Sequence, residues 1–316
     1  MTPLHTDPRL VLQKNLHAFA ALDRRDLTKV GRGAFVRTAQ WDDIFRDDRL
    51  RIVASDVWRR VDRSNGAFAM RTALAIHGLP VFGGRDDRVD LIVPGANPRH
   101  GSSQARRHHC ALPEFDVSVI DGMRVTSIER TLYDVIRLES IEAAVIALDA
   151  AFHRAAWDDQ TNTYDRALDA ALRDGIHRRI VAGSGARGIR QARIVLDFAD
   201  GRAASPGESL LRLRTWQVGI DGAEPQFRVE LGAGRYALLD LAFSSRRIWF
   251  EFDGDVKLTD PAMLRGRTAA DVLAEQAARR DAVARVLQWT PYQYGWNDVL
   301  TLDAYAAALR ARGIRP

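Results

Sequence analysis

Apolar and polar residues alternate along two neighbouring segments in the last third of the chain. Residues 236–243 and 248–253 are predicted to be strands, because every second side chain in each is apolar. The residues predicted to share one buried face are Leu239, Leu241, Phe243, Ile248, Phe250 and Phe252. Ser244 to Arg247 would form the turn between them, which predicts an antiparallel hairpin.

The register of this hairpin brings acidic side chains together. If Phe243 faces Ile248, Asp240 lies directly across from Glu251 on the other face, with Cβ atoms roughly 4.5–5.5 Å apart. A slip of one residue would separate these two carboxylates, but it would also turn one strand's apolar residues away from the buried face. Asp253 follows two residues after Glu251 on the same face. The pattern therefore predicts three converging carboxylates.

Such a cluster is typical of a divalent metal site. Magnesium binds carboxylate oxygens and keeps several waters for substrate phosphates, and manganese is the alternative ion. Asp240, Glu251 and Asp253 are the predicted ligands. A bound ion would polarise a phosphate oxygen and lower the pKa of water, which indicates phosphodiester hydrolysis. The alternative is an exposed hairpin face whose acids pair with neighbouring arginines.

A fourth acid, Glu208, lies near the start of a predicted helix. Ser205 and Glu208 have the spacing of a capping box, and Pro206 occupies the favoured first helical position. Helix capping alone would explain Glu208. The spacing therefore leaves a capping role and a site role equally open.

The order of these acids resembles the PD-(D/E)XK nuclease superfamily. Glu208 lies on a helix, Asp240 on a strand, and Glu251-Phe-Asp253-Gly254 on the next strand. The chain is most similar to the small endonuclease-like domains related to very-short-patch repair nucleases, over about residues 205–298. The resemblance implies a restriction-endonuclease-like α/β sandwich. It also implies that Asp240 and Glu251 hold the metal, that Glu208 is an auxiliary acid, and that a basic residue orients the attacking water.

One departure concerns that basic residue. The superfamily places a lysine two residues after the second acid, where this chain has Asp253. Lys257 is the candidate replacement from further along the chain. The predicted catalytic set is Glu208, Asp240, Glu251, Asp253 and Lys257.

The first half of the chain mixes helix and strand signals. Ala67 to His77 is predicted to be helical, Arg88 to Val93 to be a strand, and a hairpin is expected about Asp121-Gly122. Thr126 and Glu129 have capping-box spacing before a helix from Ile128 to Leu138, and Ser140 is predicted to cap the next helix. These signals predict a mixed α+β fold and specify no reaction.

A second resemblance covers about residues 27–153. The segments 66–80 and 121–134 are similar to the AbiEi family of antitoxins of type IV toxin–antitoxin systems, and residues 32–37 resemble the wing of that family's winged helix. The resemblance implies DNA binding, repression of the antitoxin's own operon and a cognate toxin. Lys29, Arg32 and Arg37 would then contact phosphates, and an ordinary surface strand is the open alternative.

Length and charge extend these predictions. A chain of 316 residues favours two domains. We predict an antitoxin-like domain over residues 1–155, a helical connector over 156–202 and an endonuclease-like domain over 203–316. The net charge of +5 fits a nucleic-acid partner. Within the connector, Arg187 and Arg190 are predicted to contact DNA, although a solvated helical face explains them equally well.

The remaining composition narrows the class of protein. One cysteine, Cys110, excludes an intramolecular disulfide, and no signal-peptide run or membrane-length apolar stretch occurs, which predicts a cytoplasmic protein. The sequence favours a metal-dependent DNA endonuclease with an antitoxin-like targeting module. A non-catalytic DNA-binding antitoxin or autoregulator of a toxin–antitoxin or phage-defence system stays open.

Overall fold

The chain forms two compact units in a computed structural model. The structure describes residues 7, 9–12, 24–60, 66–84, 86–95, 104–254 and 268–315. Unit 1 comprises Met1–Ala151 with Ala167–Ala199, and unit 2 comprises Phe152–Arg166 with Asp200–Pro316. The predicted connector over residues 156–202 is thus divided between the units, and most of it belongs to unit 1.

Unit 1 contains two sheets. A three-stranded sheet has the order β1-β3-β2, and a five-stranded sheet has the order β6-β5-β4-β8-β7. The strands are Val11–Leu12 (β1), Leu27–Gly31 (β2), Ala34–Arg37 (β3), Ala67–Phe68 (β4), Val89–Ile92 (β5), Ala105–His108 (β6), Val117–Ile120 (β7) and Met123–Thr126 (β8). The predicted hairpin about Asp121-Gly122 is confirmed as the β7–β8 pair. Both turn residues have positive φ, as a tight hairpin turn requires.

Seven described α-helices begin in the first 200 residues, and the first three of them contact these sheets. They are Thr38–Asp43 (α1), Arg46–Arg60 (α2), Met70–Ile76 (α3), Ile128–Leu138 (α4), Ile141–Ala156 (α5), Arg166–Ala182 (α6) and Ile189–Phe198 (α7). The prediction of one helix from Ala67 was wrong, because Ala67–Phe68 pairs with β5 and β8 inside the sheet before α3 begins. Helix α4 has its predicted bounds, but Ser127 rather than Thr126 caps it.

Glycines bring α6 and α7 close to α4. A Cβ atom at Gly175 would overlap the Glu129 carboxylate, and one at Gly183 would overlap the Tyr133 hydroxyl. At Gly188, which precedes α7, a Cβ atom would overlap the backbone carbonyl of Arg137, and φ is +81°. Helices α6 and α7 with the loop between them form a helical hairpin. This hairpin packs on α4 at three points where a side chain has no room.

A buried cluster of charges joins β5, α3 and the end of α4. Asp90 is 1% exposed, and its Oδ1 lies 2.9 Å from both Arg106 Nη1 and His108 Nε2. Arg71 is buried as well, with Nε 3.7 Å from Asp90 Oδ2 and 3.6 Å from Glu139 Oε1. Ion pairs of this kind remain costly to bury.

We expect Glu139→Gln to stabilise the chain at neutral pH. Burial raises the pKa of the Glu139 carboxyl above its ordinary value, and the nearby Arg71 only partly offsets this. A carboxyl whose pKa is raised by folding binds more protons in the folded state than in the unfolded state. Its contribution to stability therefore falls as the pH rises from its ordinary pKa to the raised pKa of the folded state. Thermal unfolding should therefore give the variant a higher midpoint at neutral pH, with the difference vanishing at about pH 4. A lower midpoint at neutral pH would contradict this.

Unit 2 is built on a four-stranded sheet of order β11-β12-β13-β14, and it also contains a two-stranded β9–β10 hairpin from the earlier segment Phe152–Arg166. The strands are Trp157–Asp158 (β9), Thr163–Tyr164 (β10), Glu224–Gly232 (β11), Arg235–Phe243 (β12), Ile248–Phe252 (β13) and Thr290–Tyr294 (β14). The helices are Pro206–Gln217 (α8), Ala269–Leu287 (α9), Trp296–Val299 (α10) and Leu302–Ala311 (α11). Strands β11 to β13 are antiparallel, and β14 lies parallel to β13.

The predicted β12–β13 hairpin is confirmed in its turn and register. Phe243 pairs with Ile248 and Leu241 with Phe250 across the turn at residues 244–247. Burial extends beyond the predicted face, because Ala242 and Trp249 on the other face are fully buried too. Helix α8 packs on β12 and β13, and residues of α9 join Trp249 in an apolar cluster. Helices therefore cover positions that a solvated hairpin would expose.

The mixed α+β class is as predicted. The restriction-endonuclease-like and antitoxin-like architectures remain predictions.

Candidate functional site

The β12–β13 ladder stops where the predicted acids begin. Its last regular pair is Leu241 with Phe250, so Asp240 and Glu251 occupy the next positions. The Asp240 carboxylate accepts a hydrogen bond from the backbone N–H of Phe252 at 2.8 Å. The carboxylate takes the place of the strand carbonyl that would accept this hydrogen bond in a regular ladder. Without it, the buried N–H of Phe252 would lack an acceptor. Asp240 thus lies against β13, beside Glu251.

The strand opposite Asp240 is distorted too. The β11–β12 pairing passes from Pro225/Leu241 to Phe227/Leu239 and omits Gln226 and Asp240. Gln226 has a φ of +52°, which is rare for a residue with a side chain. Leu239 and Ala242 belong to one apolar cluster, although regular alternation would place them on opposite faces. The regular sheet is therefore interrupted at Asp240, and such local strain is concentrated at functional sites.

Glu208 reaches this interruption through Gln226. Its carboxylate accepts hydrogen bonds from Ala204 N at 2.9 Å, Ser205 Oγ at 2.8 Å and Gln226 Nε2 at 3.0 Å. The first two contacts belong to the start of α8, where Ser205 is the N-cap. The third connects α8 to the residue across from Asp240. Glu208 therefore caps α8, and it also contacts the strand that faces Asp240.

Glu251 is buried and forms an ion pair with an arginine. The residue is 6% exposed, and its Oε1 accepts a hydrogen bond from Arg279 Nη2 of α9 at 2.8 Å. Arg279 Nη1 also donates to the carbonyl of Leu238 at 3.0 Å. One guanidinium thus connects α9 to the backbone of β12 and to the acid of β13. Nothing in the local sequence pattern pointed to Arg279, which lies 28 residues after Glu251 on an exposed helical segment.

Asp253 has partners of its own, separate from those of Glu251. Its Oδ2 accepts a hydrogen bond from Gln293 Nε2 at 2.6 Å, and Arg280 Nη1 lies 3.8 Å away. Within the described ranges, no three Asp, Glu, His or Cys side chains converge as metal ligands. The predicted three-carboxylate arrangement is therefore absent there. Lys257, the predicted basic residue, lies outside the described residues.

Asp240 and Glu251 are the two acids here that could hold a magnesium ion. Asp240 and Glu251 supply hard oxygen donors from adjacent strands, and magnesium commonly takes one or two carboxylates and keeps water for the rest. The Arg279 guanidinium already bonds one oxygen of Glu251, so an ion would compete with it for this carboxylate. Asp240 and Glu251 would hold the ion, whereas Asp253 lies with a separate set of partners, Gln293 and Arg280.

The predicted DNA contacts of unit 1 are exposed. Lys29 and Arg37 occupy one face of the β2–β3 hairpin, where the ladder pairs them with Phe35 and Leu27, and Arg32 lies in the turn. Arg187 precedes α7, and Arg190 lies in its first turn. In the part of the chain that the structure describes, Arg187 and Arg190 form no ion pair, whereas Arg130, Arg137 and Arg179 of the same unit do. Their charge is available to an external anion.

No helix in the described ranges has both the length and the apolar content needed to cross a bilayer.

Comparison with known proteins gives a partial match. No family model matches the chain. It is 36% identical over 108 residues to two proteins of Mycobacterium tuberculosis, the uncharacterized protein MT2308 of strain CDC 1551 / Oshkosh and the uncharacterized protein Rv2248 of strain ATCC 25618 / H37Rv. The matched region is 32% of this chain and 40% of each relative, so the chain spans less than half the length of the proteins that it matches.

Proposed function

We propose that unit 2 hydrolyses phosphodiester bonds of DNA with a divalent metal at Asp240 and Glu251. The observation that carries this proposal is the burial of Glu251 beside Asp240, at the point where regular strand pairing is interrupted. Burying a charged pair is often no more stabilising than burying apolar residues of similar volume. A chain selected for stability alone would therefore gain little from an acid at this position, whereas a catalytic site requires one.

The residues have separate roles in this proposal. Asp240 and Glu251 would hold magnesium or manganese, which supplies a polarised phosphate oxygen and an activated water. Arg279 provides the positive charge that the superfamily obtains from lysine. Glu208 holds Gln226, and so fixes the strand that faces Asp240. These four residues come from α8, β12, β13 and α9, so the site is assembled from four elements of unit 2.

Plasmid relaxation tests the proposal. The purified full chain is incubated with supercoiled plasmid and magnesium, manganese or EDTA. We expect open-circular or linear product with either ion and none with EDTA. If the folded protein yields no product with any of these ions, the nuclease proposal fails.

The second candidate is a DNA-binding regulator that does not cleave. Two observations favour it: Asp253 occupies the position of the superfamily lysine, and Arg279 already neutralises Glu251. In this case unit 2 would have the same sheet but would not hydrolyse DNA. The antitoxin-like unit 1 would carry the regulatory function, with a toxin as partner. DNA binding without cleavage would support this candidate.

Removing the exposed arginines of the helical hairpin should weaken DNA binding. Neutralising Arg187 and Arg190 together removes two side chains with no acidic partner among the described residues. We expect the slope of log affinity against log salt to become shallower by about 0.9 for each phosphate that the variant no longer neutralises. Fluorescence anisotropy with labelled duplex DNA in EDTA measures this slope.

Arg310→Gln, an exposed change on α11, is the matched control for the removal of one positive charge, and it should leave the slope unchanged. Replacing Lys29, Arg32 and Arg37 in a separate variant tests the β2–β3 hairpin in the same way. An unchanged slope in the Arg187/Arg190 variant would assign these arginines to a solvated helical face.

A further inference from the structure

A pocket opens beside the guanidinium that holds Glu251. It lies between the β11–β12 turn and α9 and has a volume of about 470 Å³. The residues that line it are Leu231, Gly234, Arg235, Tyr236, Ala278, Arg279 and Ala282. Among the described lining residues two are arginines and none is acidic, which favours an anion.

Arg279 lies where solvent and a buried acid meet. Its side chain is 41% exposed, whereas that of its partner Glu251 is 8% exposed. A ligand can therefore reach the guanidinium from the pocket without passing the carboxylate. Arginine also suits phosphate, because its planar group can donate two parallel hydrogen bonds to phosphate oxygens.

The same guanidinium opposes a metal at Glu251. A divalent ion and Arg279 both need the Glu251 carboxylate, and two cations sharing one buried acid repel each other strongly at low dielectric. Any ligand that draws Arg279 towards the pocket would remove this repulsion. Such a ligand changes the metal affinity because it interacts differently with the two positions of Arg279.

We propose that the pocket binds a backbone phosphate of DNA and that this phosphate draws Arg279 away from Glu251, so that DNA and the divalent metal bind cooperatively. The inference rests on the proposed function, because it assumes a metal at Glu251. Arg235 is the second phosphate contact. Linkage requires the effect to be reciprocal, with the metal raising the affinity for DNA by the same factor.

Manganese binding to the full chain, followed by electron paramagnetic resonance, tests this inference without relying on activity. Titrations are made without DNA, with a phosphorothioate oligonucleotide that resists cleavage, with a methylphosphonate oligonucleotide that lacks the backbone charge, and with inorganic phosphate. We expect the phosphorothioate to raise manganese affinity at least about fivefold, the lower end of typical coupling between sites. The methylphosphonate should have no effect. A rise with inorganic phosphate alone would identify a free-phosphate site and overturn the assignment to DNA.

Substitutions distinguish the effect of the Arg279–Glu251 ion pair from the effect of the pocket. Arg279→Gln should raise manganese affinity without DNA and abolish the effect of the oligonucleotide, and Arg279→Lys, which keeps the charge, should give an intermediate result. Arg235→Gln should leave manganese affinity without DNA unchanged and reduce the coupling. Arg285→Gln on the same helix, whose Nε contacts only the Asp281 carbonyl among the described bonds, serves as the control.

The two levels of the proposal fail differently. If the wild type binds manganese equally well with and without the oligonucleotide, and Glu251→Gln removes that binding, the pocket inference fails and the metal site stands. If the wild type does not bind manganese under any of these conditions, the proposed function fails and this inference fails with it.

Discussion

Glu251→Gln is expected to lower metal-dependent DNA cleavage by at least about a hundredfold, since removing even a residue that orients a metal ligand typically costs about 10–100-fold. The amide oxygen of glutamine can still accept the Arg279 hydrogen bond, but it no longer carries the charge that a divalent cation needs. The fold should survive, because a buried neutral group replaces a buried charge and the exposed Arg279 side chain remains solvated. The rate of plasmid relaxation in magnesium measures the effect.

Two further variants make this result specific. Asp240→Asn keeps an oxygen for the backbone N–H of Phe252 and removes the charge, so it should lose activity to a similar degree and remain folded. Glu230→Gln removes an exposed acid of the same sheet, one that pairs with Arg228 at 2.6 Å, and should cleave normally. Full activity of Glu251→Gln would exclude this acid from the chemistry and would show that cleavage depends on other residues.

Gly188→Ala is expected to destabilise unit 1 by about 3 kcal/mol or more. A side chain in the left-handed region costs about 1–3 kcal/mol, and forcing extra atoms into a packed site costs about 1–3 kcal/mol again. Both costs apply at Gly188, where φ is +81° and the new Cβ atom would overlap the carbonyl of Arg137. The neighbouring backbone cannot yield easily, because the overlap is with main chain inside α4.

Gly185→Ala in the same loop is the matched control. Gly185 has a φ of +88°, but no atom lies within 4 Å of the position that its Cβ would occupy, so this variant isolates the backbone cost from the overlap. Denaturant unfolding, with hydrogen exchange of the α4 and α7 amides, should show a clearly larger decrease in stability for Gly188→Ala. Equal decreases in the two variants would mean that α7 does not pack on α4 as described.

Local elements of this protein could be predicted from its sequence. The alternation around residues 244–247 correctly predicted the turn and the register of β12 and β13, because side-chain direction in a strand repeats every two residues. The start of α4 followed from a capping signal at its N-terminus, and the predicted hairpin at Asp121-Gly122 followed from residues that tolerate positive φ. Each of these signals acts between residues that are close in the chain.

The covering of the sheet could not be predicted in the same way. A strand pattern shows which side chains share a face, but it cannot show that α8 and α9 will cover both faces. For this reason Trp249 and Glu251, which alternate with the apolar residues predicted for the buried face, are buried as well. The regular alternation also fails at Asp240, where a cross-strand residue with positive φ interrupts the ladder.

The acids of the candidate site were therefore determined by the sequence, and their partners by the tertiary structure. Asp240 and Glu251 lie beside each other because the register of one hairpin places them on adjacent strands, next to the Leu241–Phe250 pair. The contacts of Arg279 with Glu251 and of Gln226 with Glu208 depend instead on how a helix packs against a sheet. Packing of that kind depends on the shape and volume of many side chains at once, and no local periodicity records it.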